Sequence, residues 1–182
     1  MFVIRDETIF DIPGRETLLD TCFGNDRFAK TCERLREGRL PAEGLARVIE
    51  REGEIVGTVR LWHVDAGPDR AALMLSPIAI APALQGLGLG AKLMRDSLDR
   101  ARSGGHRAVL LVGDAPYYAR FGFSAAAVSD LRLPGPFERE RFLGLELVPG
   151  ALRSAAGLVS PAGLPASDAI PQREFMRFAH AA

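Results

Sequence analysis

The chain has 182 residues with 23 basic and 23 acidic side chains, and this zero net charge argues against a protein that binds nucleic acid through its phosphates. No apolar run is long enough to cross a bilayer, the first residues show no secretory leader, and the length suits a single core. Two cysteines without metal-ligand spacing, Cys22 and Cys32, predict free thiols, so we expect a soluble cytoplasmic protein with no metal, nucleic acid or membrane partner.

The first third of the chain predicts an edge strand, a helix and an antiparallel hairpin. Residues 2–7 combine a short apolar start with charges, as an edge strand does. The Ile12-Pro13-Gly14 sequence predicts a break, and the leucine spacing after it predicts a helix over residues 15–30. Residues 43–51 and 54–64 predict two strands that are joined by a tight Glu-Gly turn.

A glycine-rich corner between a strand and a helix dominates the centre of the sequence. The strand covers residues 71–81, and Ser76-Pro77 predicts a bulge or a splayed edge because proline removes a ladder donor. The corner at residues 85–90 opens a helix that runs to Ser103, and residues 108–113 form a second apolar strand. Two buried strands joined by a helix form a parallel unit, so we expect a mixed sheet. The apolar face of the helix is expected to comprise Leu87, Ala91, Met94, Leu98 and Ala101.

The rest of the chain predicts a short helical turn, a last strand and an irregular extension. Residues 114–123 combine a helical turn with a glycine stop, and residues 142–148 form the last predicted strand. We expect one domain over residues 1–150, and residues 151–182, rich in Ala, Gly, Ser and Pro, form an extension rather than a separate domain. The side chains that suggest docking of its end are Phe175, Met176 and Phe178.

The glycine corner is a candidate anion site. Backbone N–H groups at a helix N-terminus carry partial positive charge, and glycines let an anion approach the main chain closely. A nucleoside triphosphate loop needs Ser or Thr after its lysine, whereas Leu93 follows Lys92 here, so we discard this possibility. A dinucleotide fingerprint is a real competitor, because the Gly-x-Gly-x-x-Ala pattern runs from Gly86 to Ala91 and Asp114 ends the next strand. Against it, several residues separate the strand from the glycines, and too little sequence follows for a second mononucleotide-binding half.

Two motifs taken together favour a third interpretation. Gln85-x-x-Gly88-x-Gly90 follows an apolar strand and opens a helix, and Tyr118-Ala119-Arg120-Phe121-Gly122-Phe123 comes after the next strand. In this order they resemble the acyl-coenzyme A motif and the later Tyr-x-x-x-Gly-Phe element of the GNAT acetyltransferase superfamily, and especially its bacterial predicted N-acetyltransferase subgroup. The resemblance covers residues 43–148 and implies the GNAT fold: an α/β domain whose central mixed, twisted sheet is flanked by helices, with parallel strands splayed around the cofactor.

The resemblance implies that acetyl-CoA is the cosubstrate and that the corner holds its diphosphate. In the family, the pantetheine arm bonds to the strand that precedes the corner, much like an added strand. The positions that the resemblance assigns to the cofactor are Ile78, Ala79, Ile80, Ala81, Gln85, Gly86, Leu87, Gly88, Leu89, Gly90, Ala91, Asp114 and Tyr117.

The resemblance also assigns a catalytic residue, because Tyr118 matches the tyrosine that serves as general acid in many members of the family. A phenol with an ordinary pKa near ~10 is protonated at neutral pH and can protonate a departing thiolate. The alternative is that Tyr118 only packs beside the cofactor. No general base stands out: His63 ends a predicted strand, and ordered water is an equal candidate.

The implied function is direct transfer of an acetyl group from acetyl-CoA to a primary amine by an N-acetyltransferase. The expected acceptor is a small molecule or a peptide whose identity the sequence does not give. The sequence is also compatible with a homodimer. Two alternatives stay open: a non-catalytic acyl-CoA-binding module of the same fold, and an NAD(P)-binding oxidoreductase built on the dinucleotide fingerprint.

Overall fold

The computed structural model of the chain describes residues 1–166, so the predicted docking of Phe175, Met176 and Phe178 lies outside the described residues. Its strands are β1 (Phe2–Asp6), β2 (Ala46–Arg51), β3 (Glu54–Ala66), β4 (Ala71–Ile80), β5 (Ala108–Val112), β6 (Leu131–Arg132), β7 (Phe142–Glu146) and β8 (Gly157–Pro161). Its α-helices are α1 (Ile12–Phe23), α2 (Leu89–Ser103) and α3 (Ala115–Ala119). Short 3₁₀ turns cover Ile9–Asp11, Asn25–Ala29, Thr31–Leu35, Pro82–Leu84, Ala126–Val128 and Arg139–Arg141.

All eight strands join one sheet, which confirms the predicted mixed α/β architecture. The main order is β1-β2-β3-β4-β5-β7, and β8 pairs with both β3 and β6. Within the main order, only β4 and β5 are parallel neighbours, as expected for two strands that are connected through α2. The predicted edge strand is confirmed as β1, and the β2–β3 hairpin turns at Glu52 and Gly53, whose φ angles of 54° and 84° suit a tight primed turn.

Helices cover both faces of the sheet. Along a strand, successive side chains point to opposite faces, so the neighbours Ile78 and Ala79 belong to different layers. On one face, Leu93 and Met94 of α2 pack with strand residues such as Val59 in the larger hydrophobic core. On the other face, Leu18 and Leu19 of α1 pack against Ala79, and the Thr31–Leu35 turn buries Leu35. Among residues 1–166, no helix is both long and apolar enough to pass through a membrane.

Two of the predicted helices differ from the observed ones. Helix α1 begins at Ile12 rather than after Gly14, because proline is tolerated in the first helical turn, where its missing N–H has no acceptor anyway. It ends at Phe23, before Gly24 with a φ of 64°, so the segment after it forms 3₁₀ turns instead of continuing the helix. In α2, Leu87 precedes the helix and is exposed, and Leu89 and Leu93 are buried instead.

The start of the C-terminal extension contributes to the sheet. β8 pairs antiparallel with β3 at Val64–Ala66, beyond the stretch of β3 that β2 covers. It also pairs in parallel with the two-residue strand β6. Neither strand was predicted from the sequence: β6 has only two residues, and β8 has no regular alternation and carries a glycine and a proline at its ends.

Candidate functional site

A cleft opens where β4 and β5 separate. The two strands pair only at Leu73–Val109 and Met74–Leu110. Just beyond, the β3–β4 register shifts, so that Ser76 and Pro77 both lie opposite Arg60 and form a bulge. The predicted interruption at Ser76-Pro77 is therefore confirmed, and the second half of β4 has one edge free of any strand.

The free edge of β4 exposes main-chain groups of alternate residues. Ala81 donates its N–H to Val56 O of β3 over 2.9 Å, which fixes the alternation of the antiparallel ladder. The N–H and C=O groups of Ile78 and Ile80 consequently point away from β3 into the cleft, whereas those of Ala79 face β3. The carbonyl of Ile80 accepts Gln85 Nε2 at 3.2 Å, so the side chain of this predicted site residue lies against the free edge.

The glycine corner presents a row of unpaired amides at the start of α2. Gly86 and Gly88 adopt φ angles of 83° and 76°, a left-handed conformation that glycine reaches at low cost. The first α2 amide that bonds within the helix is that of Lys92, which donates to Gly88 O over 3.0 Å. Within residues 1–166, the amides of Gly86 through Ala91 donate to no protein group. Free amides at the positive end of a helix dipole have the chemistry that a phosphate group requires, so the corner could hold a phosphate-bearing ligand.

Helix α3 brings two tyrosines to the cleft. Asp114 caps this helix, because its carboxylate accepts the backbone N–H of Tyr117 at 3.1 Å. The ring of Tyr118 lies directly over Gly113, where a Cβ would come within 2.2 Å of Tyr118 Cε2. The hydroxyl of Tyr117 lies 3.4 Å from a Cβ placed at Gly90, so Tyr117 reaches across to the first turn of α2. The two predicted tyrosines and the glycine corner therefore meet at one place.

The phenol of Tyr118 is protonated over the whole physiological range. Burial raises the pKa of Tyr118 to about 12 because the tyrosinate would lose its hydration. The neighbouring Tyr117 and Asp114 act in the same direction, whereas the positive charge of Arg141 opposes them. The side chain is thus a protonated hydrogen-bond donor at physiological pH.

Two cavities meet at the tyrosines. The smaller cavity, of about 400 Å³, runs along the end of β4 and over the glycine corner. The larger, of about 560 Å³, lies between the splayed strands and is covered by the segment that follows α1. Both are lined by Ile78, Tyr117 and Tyr118. A ligand that follows β4 through the smaller cavity would therefore end beside Tyr118, at the entrance of the larger one.

The predicted cofactor residues fall into three groups. Those that line the smaller cavity are Ile78, Ala79, Ile80, Gln85, Gly86, Gly88, Leu89, Gly90, Ala91 and Tyr117. Ala81 and Leu87 do not line it: the amide of Ala81 is bonded to β3, and the side chain of Leu87 is exposed. Asp114 lines the larger cavity instead, next to Tyr118.

Most of the wall of the larger cavity was not predicted from the sequence. That wall includes Phe23, Arg27, Lys30 and Arg36 from the region after α1, and Arg141 from the turn before β7. These residues belong to no motif and are brought together only by the tertiary fold, so no local sequence pattern could have singled them out.

Two histidines of the described residues, His63 and His106, lie far from this cleft. The ring of His63 is 5.4 Å from that of His106, which follows the C-terminal end of α2. The cleft is at the opposite end of this 15-residue helix, about 22 Å away along its axis. His63 therefore cannot reach a proton near Tyr118. Among residues 1–166, no group of three or more His, Cys, Asp or Glu side chains is arranged to hold a metal ion.

A match to a protein family identifies the class of protein that contains this cleft. Residues 13–123, more than half of the chain, match the model of the Acetyltransferase (GNAT) family. The chain belongs to the GNAT acetyltransferase family. This membership confirms the predicted class of enzyme, an N-acetyltransferase, over the dinucleotide-binding oxidoreductase.

Other GNAT proteins share both sequence and fold with this chain. The uncharacterized N-acetyltransferase YhbS of Escherichia coli K12 is 35% identical over 158 residues, which are 86% of this chain and 94% of YhbS. The crystal structure of E. coli YhbS in complex with CoA has a TM-score of 0.75 and covers 88% of this chain and 89% of that one. A GNAT acetyltransferase from Brucella melitensis, solved in complex with acetyl-CoA, is 27% identical with a TM-score of 0.68, and the match covers 89% of this chain and 96% of that one. These similarities confirm the GNAT fold expected from the sequence.

Proposed function

We propose that this GNAT protein transfers an acetyl group from acetyl-CoA directly to a primary amine in the cleft between β4 and β5. The observation that carries the proposal is the row of unpaired amides at the start of α2, which leads along β4 to Tyr118. Two GNAT proteins with the same fold were solved with CoA or acetyl-CoA bound, which supports acetyl-CoA as the cosubstrate here.

The cosubstrate would be held mainly by the backbone. The amides from Gly86 to Ala91 would surround the diphosphate, and the outward N–H and C=O groups of Ile78 and Ile80 would bond to the pantetheine arm. Gln85, now bonded to Ile80 O at 3.2 Å, would yield that carbonyl to the ligand and turn toward the diphosphate. The N–H of Ile78, at the junction of the two cavities, would polarise the thioester carbonyl.

The transfer itself requires two proton movements. The neutral amine attacks the thioester carbonyl carbon, a C–N bond forms and the C–S bond breaks, which leaves a thiolate. Tyr118 would give its proton to this thiolate as the C–S bond breaks, and the tyrosinate would then regain a proton from solvent. The pKa of about 12 keeps the phenol protonated at working pH, but it also makes the phenol a weaker acid than a thiol with its ordinary pKa near ~8.5, so the donation depends on the positioning of Tyr118 beside the sulfur. The amine loses its extra proton to water, since His63 is at the other end of α2. Much of the rate gain would come from positioning the two reactants.

The test is a screen of primary amines with acetyl-CoA that measures free thiol release. We expect turnover with some amines, and Tyr118→Phe is expected to lower kcat by about 10²–10⁴-fold while the affinity for acetyl-CoA changes little. Thermal-shift titrations with acetyl-CoA and NADH run in parallel, because only a bound ligand raises the melting temperature. Binding of acetyl-CoA without turnover of any amine would favour a non-catalytic acyl-CoA-binding module, and an unchanged kcat in Tyr118→Phe would remove the general-acid role.

A further inference from the structure

The charges on one wall of the larger cavity all have the same sign. The segment between α1 and the end of the Thr31–Leu35 turn, together with Arg36, covers this cavity. It contributes three charged side chains to the lining, Arg27, Lys30 and Arg36, and no carboxylate. The carboxylates that do line the cavity are Asp114, which precedes α3, and Glu138, which precedes the Arg139–Arg141 turn. The charged side chains with which this segment lines the cavity are therefore all basic.

Arg27 is held in place with unused hydrogen-bond donors. Its residue exposure is 7%, so the guanidinium is almost fully buried in this wall. Nε donates to Asp20 Oδ1 over 2.9 Å, Nη2 donates to Glu16, and one face of the group lies over the ring of Phe28. Within residues 1–166, Nη1 has no partner. A buried guanidinium whose Nη1 keeps both of its N–H groups free is suited to receive an anion.

Arg36 and Lys30 extend this arrangement along the wall. Two nitrogens of Arg36 bond to Glu33, and its third, Nη1, reaches only the Ser76 hydroxyl at 3.4 Å. The ammonium of Lys30 lies 4.6 Å from the ring centroid of Phe23, and it has no carboxylate within ion-pair distance in residues 1–166. Each of the three cations thus has N–H groups that are free to donate hydrogen bonds to a ligand in the same cavity.

We infer that the acceptor is a small amine that also carries an anionic group, a carboxylate or a phosphate, which binds to Arg27, Lys30 and Arg36. This inference rests on the proposed acetyltransferase function and specifies its acceptor. An anion in this cavity would accept hydrogen bonds from the donors that these three cations leave unused, and charge-assisted hydrogen bonds are the strong ones. The amine of the same molecule would then extend toward Tyr118 and Ile78, where the two cavities meet.

Matched amine pairs with acetyl-CoA test the inference. The carboxylate pair is γ-aminobutyrate with n-butylamine, and the phosphate pair is O-phosphoethanolamine with ethanolamine. We expect kcat/KM from thiol release to be about tenfold or more higher for the anionic member of at least one pair, the size of effect that a charge-assisted hydrogen bond produces. The pair with the larger ratio identifies the anion. Where no pair turns over, the same compounds are compared as ligands of the CoA complex by thermal shift, and a larger shift for the anionic member supports the inference.

A variant and its matched control test whether the preference for an anionic amine arises from this wall of the cavity. Lys30→Met removes a cation that has no ion pair in the described chain, so we expect the variant to fold. We also expect this variant to lower the ratio of kcat/KM between the anionic and the neutral amine of the preferred pair several-fold. Arg102→Met removes an exposed cation at the far end of α2 and should leave the ratio unchanged. The inference is overturned if kcat/KM is equal for the two members of both pairs. It is also overturned if Lys30→Met leaves the ratio of kcat/KM within the preferred pair unchanged. If neutral amines still turn over in that case, the proposed function stands, whereas a failure of acetyl-CoA to bind would overturn both.

Discussion

Tyr117 and Tyr118 are the only tyrosines in the chain, so either phenol can be titrated alone after one substitution. In Tyr117→Phe protein, we expect the absorbance change of tyrosinate formation to have its midpoint above the ordinary phenol value, because burial opposes ionisation of Tyr118, but below the value of about 12 in the wild-type protein, because Tyr117 no longer contributes. The unfolded protein should titrate near ~10, the ordinary phenol value. Adding Arg141→Gln should move the folded midpoint further up, because Arg141 favours the tyrosinate. A folded midpoint near ~10 would contradict the buried position of this side chain.

The position of Tyr118 depends on the absence of a side chain at Gly113. A Cβ there would lie 2.2 Å from Cε2 and 2.8 Å from Cδ2 of the ring, so Gly113→Ala must displace either the ring or the strand. We expect this variant to lose about 1–3 kcal/mol of unfolding free energy in urea denaturation and to lose most of its activity. In a Tyr118→Ala background, the same substitution should have almost no effect on stability, because the ring is gone. An equal loss in both backgrounds would mean that the clash is elsewhere.

At the scale of elements, helix α2 offers a comparison between its two ends. Gly88 and Gly105 have φ angles of 76° and 78°, and a Cβ at either would meet no atom within 4 Å. Gly88→Val and Gly105→Val should therefore destabilise the protein by similar amounts, about 1–2 kcal/mol each, through the same backbone strain. Only Gly88→Val should also abolish the thermal shift with acetyl-CoA, since only Gly88 lies among the unpaired amides. Equal acetyl-CoA binding by the two variants would place the diphosphate elsewhere.

The elements that could be predicted from the sequence are those whose conformation is determined by a few neighbouring residues. The hairpin at Glu52 and Gly53, the bulge at Ser76-Pro77 and the glycine corner each follow from the conformational limits of a few residues. Strand β8 and the segment after α1 were not predictable in this way, because pairing and packing with distant parts of the chain decide their structure. For the same reason, the cofactor side of the cleft could be inferred from sequence and the acceptor side could not.

At the scale of the whole molecule, one carboxylate connects the edge of the sheet to the helical layer. Asp11, just before α1, accepts hydrogen bonds from Arg5 of β1 at 2.7 and 2.8 Å and from the backbone N–H of Thr8 at 2.7 Å. The hydrogen bonds from Arg5 hold the pKa of Asp11 well below its ordinary value. The unfolded chain therefore takes up this proton first as the pH falls, and the stabilisation present at neutral pH declines below about pH 4.

Asp11→Asn tests this contribution. We expect a loss of about 1–3 kcal/mol in urea denaturation at pH 7 and a clearly smaller loss at pH 3, where the unfolded wild-type chain is already mostly protonated at this position. Asp99→Asn is the control, because Asp99 is 74% exposed and its pair with Arg102 should contribute less than about 1 kcal/mol. A loss that is the same at both pH values would show that the charge of Asp11 is not what stabilises the fold.

The bulge in β4 gives the protein an optical reporter of its own. Trp62 is the single tryptophan, it is 5% exposed, and its indole N–H donates to the carbonyl of Ser76 over 2.5 Å. Indole fluorescence responds to the polarity and hydrogen bonding around the ring, and here that bond is made to the residue at which β4 leaves its neighbour. Emission recorded without any added dye should therefore follow the occupation of the cleft, so that both substrates can be titrated and their order of binding established in a single cuvette.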